Sequence, residues 1–341
     1  MVREAFVTLV TNDLYCDGAL VVAQSLRSHG TKKDIVVLTT PHVSAACRSR
    51  LAVLFDHVVL VNILDSNDSA HLALLHRPEL GVTFTKIHCW SLTQYSKCVF
   101  LDADTLLLTN VDELFERNEL SAAPDSGWPD MFNSGVFVFK PSMHTFQELI
   151  QLADNQGSFD GGDQGLLNTY FSEWSTSDSS KRLSFLYNMH STSTYSYSPA
   201  FKQFGKDTKI VHFIGNPKPW NHKYNEQTGQ VEILEGSGIL EPALLKHWWE
   251  VCCQARKISN VEKLSPQFEN LTVSKSSDKI SDPLEVEDDK MASHRQHFLQ
   301  LQASNVDYTG VDSFDHIQAK LDGILQSSSP TRPSTSVKKN T

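Results

Sequence analysis

The stretch Val99-Phe100-Leu101-Asp102-Ala103-Asp104-Thr105-Leu106-Leu107 constrains this chain more than any other. It opens as a buried strand: the residues from Cys98 to Leu101 are all apolar, and β-branched and aromatic types are favoured there. Two carboxylates then stand one residue apart where the strand should end. From extended backbone, positions i and i+2 point the same way. Unpaired, these two would repel, and burying either would be strongly unfavourable. A divalent cation between them removes that cost, and oxygen ligands suit Mg²⁺ or Mn²⁺ better than Zn²⁺. On spacing alone an Asp-x-Asp triplet is more often a solvated turn. Here a buried strand precedes it, and a helix start is read at Asn110 with Glu113 as its capping-box partner. Open α/β sheets bind ligands just beyond the carboxyl ends of their strands.

The elements before this stretch predict such a sheet. Residues 5–11 read as a strand broken by Asn12-Asp13, and Asp17 reads as the N-cap of a helix that stops at Gly30. Residues 34–39 are a second strand, Ser44 to Phe55 a second helix, and His57 to Ile63 a third strand. This β-α-β-α-β order predicts an α/β fold with a mostly parallel sheet covered on both faces. A polar turn after the first strand can present backbone donors to a phosphate or base. No Gly-x-Gly-x-x-Gly occurs, so a dinucleotide site is not indicated. Asp65 to Arg77 is polar and carries no clear pattern. Thr83 to Tyr95 reads as a helix with Phe84, Ile87 and Trp90 inward. Lys86 lies off that face, which on the helix alone makes it a solvated surface lysine.

Further motifs follow the two carboxylates. Phe132 to Phe139 is a polar tip entering a buried strand, and Asn133-Ser134-Gly135 suits sugar hydroxyls as readily as it suits an ordinary turn. Gly157 to Gly165 packs four glycines with Asp160 and Asp163 into nine residues, a sharp turn that brings carboxylates close to something. Thr208 to Gly215 is a last buried strand with His212 inside it. A lone histidine there is more often a satisfied core residue than a ligand. Lys218 and Trp220 follow at once, however, and an imidazole with a lysine six residues later suits a metal–diphosphate site.

Composition narrows the function classes. A net charge of −10 disfavours a nucleic acid or an anionic membrane surface as partner. No stretch approaches the roughly 18 apolar residues of a membrane span, and the first residues do not read as a signal peptide. The six cysteines show neither zinc spacing nor a disulfide framework, which predicts reduced core thiols in a cytoplasmic protein.

Taken together, Asp102-Ala103-Asp104, Phe132 to Val136, Phe159 to Gly165, His212 to Gly215 with Lys218-Pro219-Trp220, and above all Tyr195-Ser196-Tyr197-Ser198-Pro199-Ala200-Phe201 carry a specific resemblance. Over residues 5–225 the sequence resembles the self-glucosylating glycogen primers of retaining glycosyltransferase family 8. The resemblance implies a Rossmann-like, GT-A type catalytic domain over 1–262, with UDP-glucose as donor and Mn²⁺ held by Asp102, Asp104 and His212. It implies that Leu9, Thr11, Asn12, Tyr15, Arg77, Ala103, Gly215 and Lys218 hold the nucleotide and its phosphates. Asn133, Ser134, Asp160 and Gln164 would grip the glucose, with Lys86 and Asp163 as catalytic-site residues. Tyr195 would be the acceptor, with Tyr197 close by as the other candidate hydroxyl. Retention leaves two routes open, a carboxylate nucleophile, for which Asp163 is the candidate, or front-side attack within an ion pair. A homodimer in which one subunit glucosylates its partner is the expected assembly.

After Trp248-Trp249 the composition shifts. Residues 263–305 are Ser-rich and acidic and read as a disordered linker. Within 306–326, Phe314, Ile317, Leu321, Ile324 and Leu325 form one apolar face at helical spacing. Such a helix either docks into a partner's groove or packs on its own domain. The resemblance implies that it recruits glycogen synthase. Residues 327–341 read as a disordered tail.

Overall fold

Alternation along three central strands sets the architecture. In the computed structural model, which describes residues 3–74, 77–191, 198–235, 237–238 and 241–261, all these residues fall within one unit, Met1–Asn270. Strands β1 (Glu4–Val10), β2 (Asp34–Thr39), β3 (His57–Leu60) and β4 (Lys97–Leu101) run parallel. Strands β6 (Ser121–Pro124) and β7 (Phe132–Phe139) add antiparallel, giving the order β3-β2-β1-β4-β7-β6. Phe6, Val99, Leu101, Val136 and Val138 face one layer, formed with helices α1 (Cys16–Ser28) and α2 (Ala45–Leu54). Ala5, Val7, Cys98, Phe100, Phe137 and Phe139 face the other. There they meet a 3-10 run, Pro78–Ser91, and the helices α4 (Met143–Gln156) and α5 (Asp163–Tyr170). Strands buried on both faces read as continuous apolar runs, as parallel sheets require. The aromatic rings of Phe100 and Phe137 stack at 5.1 Å and those of Trp90 and Phe137 at 5.5 Å.

A second, three-stranded sheet has the order β5-β9-β8, from β5 (Thr105–Leu107), β8 (Met189–His190) and β9 (Ile210–His212). Helix α7 (Pro242–Val261) covers it with Trp248 and Trp249 against Val211 and Phe213. Helices α3 (Ser69–Leu74) and α6 (Ser198–Phe204) and the hairpin of β10 (Lys223–Asn225) and β11 (Gln230–Glu232) complete the described α-helices and strands. Asp102-Ala103-Asp104 is where the chain leaves the large sheet and enters the small one. Leu101 still pairs with Val136, and Thr105 already pairs with His212. Asp102 N donates to Gly135 O at 2.8 Å, and Phe213 N donates to Asp104 O at 2.9 Å.

Several local expectations are corrected. Helix α1 starts at Cys16, because Asn12 caps the 3-10 turn Asp13–Tyr15 that feeds it, its Oδ1 accepting from Leu14 N. Asp17 is free for a longer-range task, and its carboxylate accepts from Arg50 at 2.6 Å and from Arg256 at 2.7 Å, tying α1 to α2 and α7. Asn110 and Glu113 form no capping box: a short 3-10 turn spans Asp112–Glu116, and Glu113 pairs with Lys209 and Tyr187 instead. Thr83 to Tyr95 is no α-helix. Residues 84, 87 and 90 are also three apart, so a 3-10 run, at three residues per turn, puts them on one face as well. All three are buried as expected. The cysteines are free, and all but Cys253 are buried. Among the described residues no helix is long and apolar enough to cross a membrane. The expected linker, partner-docking helix and tail, residues 263–341, lie outside the described residues.

Candidate active site

Five separate pieces of chain meet at the crossing between the sheets. Asp102 and Asp104 are the crossing itself. His212 ends β9, and Gly215 follows with φ +85°, a left-handed turn that returns Lys218 toward Asp104. Lys86 comes from the 3-10 run, Asn133 and Ser134 from the start of β7, and Asp163 and Gln164 from the first turn of α5.

Asp102, Asp104 and His212 present three donor atoms within 4.8 Å of one another. His212 Nε2 lies 3.2 Å from Asp104 Oδ1 and 3.8 Å from Asp102 Oδ2. Two carboxylates and one imidazole suit a divalent transition ion such as Mn²⁺. The ring is fitted into place. A Cβ on Gly135 would stand 2.1 Å from His212 Cε1, so only glycine lets the imidazole lie against β7. The residues present therefore fit a bound divalent cation.

A hydrogen-bond chain fixes which nitrogen faces that cation. Asp125 Oδ2 is a carboxylate oxygen and can only accept, so Asn133 offers it Nδ2, at 2.9 Å. Asn133 Oδ1 then accepts from Asn188 Nδ2 at 2.8 Å and from Gly135 N at 3.0 Å. Asn188 is left with Oδ1 toward His212 Nδ1, at 2.8 Å, so Nδ1 carries the hydrogen and Nε2 is the atom offered to a cation. Sequence reasoning missed Asp125 and Asn188. Neither sits in a motif: Asn188 acts through contacts 24 and 55 positions away, and Asp125 through contacts 8 and 39 positions away.

Two buried lysines neutralise the carboxylates. Lys86 is 3 % exposed, not solvated. Its Nζ stands over the Phe100 ring, 4.9 Å from the centroid, and lies 2.6 Å from Asp163 Oδ2 and 3.0 Å from Asp102 Oδ1. Burial alone would lower its pKa, but Asp102 and Asp163 win and hold the ammonium well above its usual range. Ser134 Oγ donates to the same Asp163 oxygen at 2.8 Å. On the other side Lys218 Nζ pairs with Asp104 and also donates to Phe213 O at 3.2 Å. Burial opposes the charged form of Asp104, yet Lys218 and His212 keep it well below the usual carboxylate range. Asp102 moves the other way: burial and the neighbouring Asp104 raise it against the pull of Lys86. One carboxylate of the pair is thus firmly ionised, and the other is stabilised as an anion by an added cation.

The remaining expected residues are placed as follows in the fold. Gln164 joins the cluster, its Oε1 accepting from Ser134 N and its Nε2 donating to Asp125 Oδ2 at 3.1 Å. Leu9, Thr11, Asn12 and Tyr15 gather at the carboxyl end of β1, with Tyr15 edge-on to Trp220 at 5.3 Å. Ala103 belongs to this side too, since its carbonyl oxygen would lie 2.4 Å from a Cβ on Gly18. Arg77 stands half-buried at the start of the 3-10 run. Asp160 uses Oδ1 within its own turn, accepting from Ser158 Oγ at 2.7 Å and Gly162 N at 2.9 Å. Tyr195 and Tyr197 lie outside the described residues.

The comparisons agree with this geometry. The family model for glycosyl transferase family 8 matches residues 6–119 and 116–224. Glycogenin-1 of Mus musculus is 51 % identical over 341 residues, covering 96 % of this chain and 100 % of that protein. Glycogenin-2 of Homo sapiens is 61 % identical over 251 residues, covering 73 % of this chain and 50 % of that one. Among solved structures, the galactosyltransferase LgtC in complex with donor and acceptor sugar analogues superposes with a TM-score of 0.51. It is 17 % identical, over 73 % of this chain and 95 % of that chain, and so supports the GT-A fold alone. The chain belongs to glycosyl transferase family 8, and within it to the glycogenins.

Proposed function

We propose that this protein transfers glucose from UDP-glucose to its own tyrosine and then extends a short α-1,4-glucan that primes glycogen synthesis. The observation that carries this reading is the donor set of Asp102, Asp104 and His212 flanked by two buried lysines. A nucleotide diphosphate brings negative charge that needs such neutralisation. Bound there, Mn²⁺ would supply Lewis-acid charge stabilisation to the departing diphosphate. Lys218 adds a fixed ammonium on the same side. The nucleoside would lie at the end of β1, along Leu9, Thr11, Asn12 and Tyr15, with Arg77, Ala103 and Gly215 at the phosphates. Asn133, Ser134, Asp160 and Gln164 would hold the glucose, with Asp163 and Lys86 beside its reacting carbon.

The acceptor assigned is Tyr195. A phenol has a pKa of about 10, so its proton must leave as it attacks, and the departing phosphate oxygen is a suitable base. Later cycles use the 4-hydroxyl of the last glucose in place of the phenol. We further propose a homodimer, so that one subunit can glucosylate the other, a cytoplasmic setting consistent with the free thiols, and recruitment of glycogen synthase by residues 306–326.

Four outcomes are expected. Asp102→Ala or Asp104→Ala lowers both UDP-glucose hydrolysis and self-glucosylation by about three orders of magnitude, measured as UDP release and as mass gain. Persistence of Mn²⁺-dependent hydrolysis in both variants would sink the metal assignment. Asn188→Ala weakens Mn²⁺ binding about tenfold to a hundredfold, read from free Mn²⁺ by electron paramagnetic resonance, and unchanged affinity would remove Asn188 from the site's support. Tyr195→Phe abolishes mass gain while UDP release continues; accumulation of glucose on Tyr197 at a similar rate would move the acceptor there. Phe314→Ala combined with Leu321→Ala weakens binding of purified glycogen synthase at least tenfold by interferometry, since burying each such side chain contributes about 1.5–3 kcal/mol. Equal affinities would assign that apolar face to the protein's own domain.

A further inference from the structure

Among the described tryptophans one stands almost wholly in solvent. Trp128 is 93 % exposed, whereas Trp90, Trp174, Trp248 and Trp249 are all buried. Tryptophan is highly buried on average, so an indole left this open needs an explanation. It stands at the tip of the connection from β6 to β7, a loop closed by Asp125 N donating to Met131 O at 2.8 Å. A Cβ on the neighbouring Gly127 would meet nothing within 4 Å, so the tip is open on that side.

The loop is fastened to the sugar pocket through one residue. Asp125 Oδ1 accepts from Ser126 N at 2.7 Å and so shapes the loop. Its other oxygen, Oδ2, accepts from Asn133 and Gln164, two residues assigned above to the glucose. Trp128 is three positions on from Asp125, a reach of about 10 Å at most along the backbone. The indole therefore belongs to the loop that Asn133 and Gln164 anchor.

We propose that Trp128 is the platform on which the growing α-1,4-glucan lies while its last ring is extended, a reading that rests on the function proposed above. A glucose ring presents C–H groups on its two faces and hydroxyls around its edge. An indole offers a large flat apolar surface to the first and leaves the second in water. The ring that receives the next glucose must reach into the pocket, so the rings behind it have to cross the rim. The first transfer, to tyrosine, brings no such rings and would not engage Trp128. The inference separates elongation from initiation, and assigns the indole to the former.

The test uses the full chain carrying Tyr195→Phe and Tyr197→Phe, so that no attached glucan competes, labelled with 5-fluorotryptophan. The fluorine signal lost in Trp128→Phe identifies Trp128. Expected is a shift of that signal with maltohexaose and none with cellohexaose, whose β-linked chain has a different shape. In transfer assays with maltohexaose as acceptor, Trp128→Ala should raise the acceptor KM about tenfold and Trp128→Phe much less, with the KM for UDP-glucose holding. A Trp128 signal unmoved by maltohexaose overturns the inference, and so does an unchanged acceptor KM in Trp128→Ala. A rise in both KM values in equal proportion also overturns it, because the indole would then act on the donor pocket. A parent chain that transfers no glucose at all overturns the functional reading instead, and the fluorine titration still decides the platform.

Discussion

Everything at this site depends on carboxylates that a folded protein should not tolerate so close together. Asp102 and Asp104 stand within one residue, and Asp163 is joined to Asp102 through Lys86 Nζ. Without their partners these charges would repel and would resist burial. The fold answers with two lysines drawn from distant segments and with an imidazole, each placed by a different backbone device. Lys86 arrives on a 3-10 run, Lys218 by a left-handed glycine, and His212 by strand register. Removing one cation would leave an uncompensated charge, so the cluster stands as a unit.

The two sheets explain why the crossing is at this point in the chain. The large sheet is an apolar slab whose central strands are buried on both faces, leaving little room for charge inside it. The small sheet receives the chain immediately after Asp104 and is itself sealed by Trp248 and Trp249 of α7. The buried charged groups Asp104, His212 and Lys218 gather in the gap between them. Backbone groups there are satisfied by exchange between sheets, as Asp102 N with Gly135 O and Phe213 N with Asp104 O show.

Much of this was legible from residue order alone. The bounds of β2 and β7 match those read from the sequence, because apolar runs, Ile35 to Leu38 and Val136 to Phe139, form their cores, and the strand ending in Asp-Ala-Asp was evident because charge replaces hydrophobicity within one residue. What stayed hidden has physical reasons. Spacing of three fits an α-helix face and a 3-10 face alike, so the run over Pro78–Ser91 could not be told from a helix, and Lys86 seemed solvated. Asp17 resembles a cap locally, and only the arrival of Arg50 and Arg256 from two other helices gives its carboxylate other work. Asn188 has no sequence signal because its value lies in the direction of one amide, which is set by Asp125 through Asn133.

Gly135 carries a wider consequence. Its carbonyl oxygen holds Asp102 in ladder register, and its missing Cβ is the space that the His212 ring occupies. The same residue therefore serves the hydrogen bonding of the sheet and the seating of an imidazole donor. Any substitution there must trade one against the other, and a loss of fold stability and a loss of cation affinity would travel together. Evolution cannot tune the ion's grip at this position independently of the protein's folding, so adjustment is pushed outward, to the amides and carboxylate behind the ring.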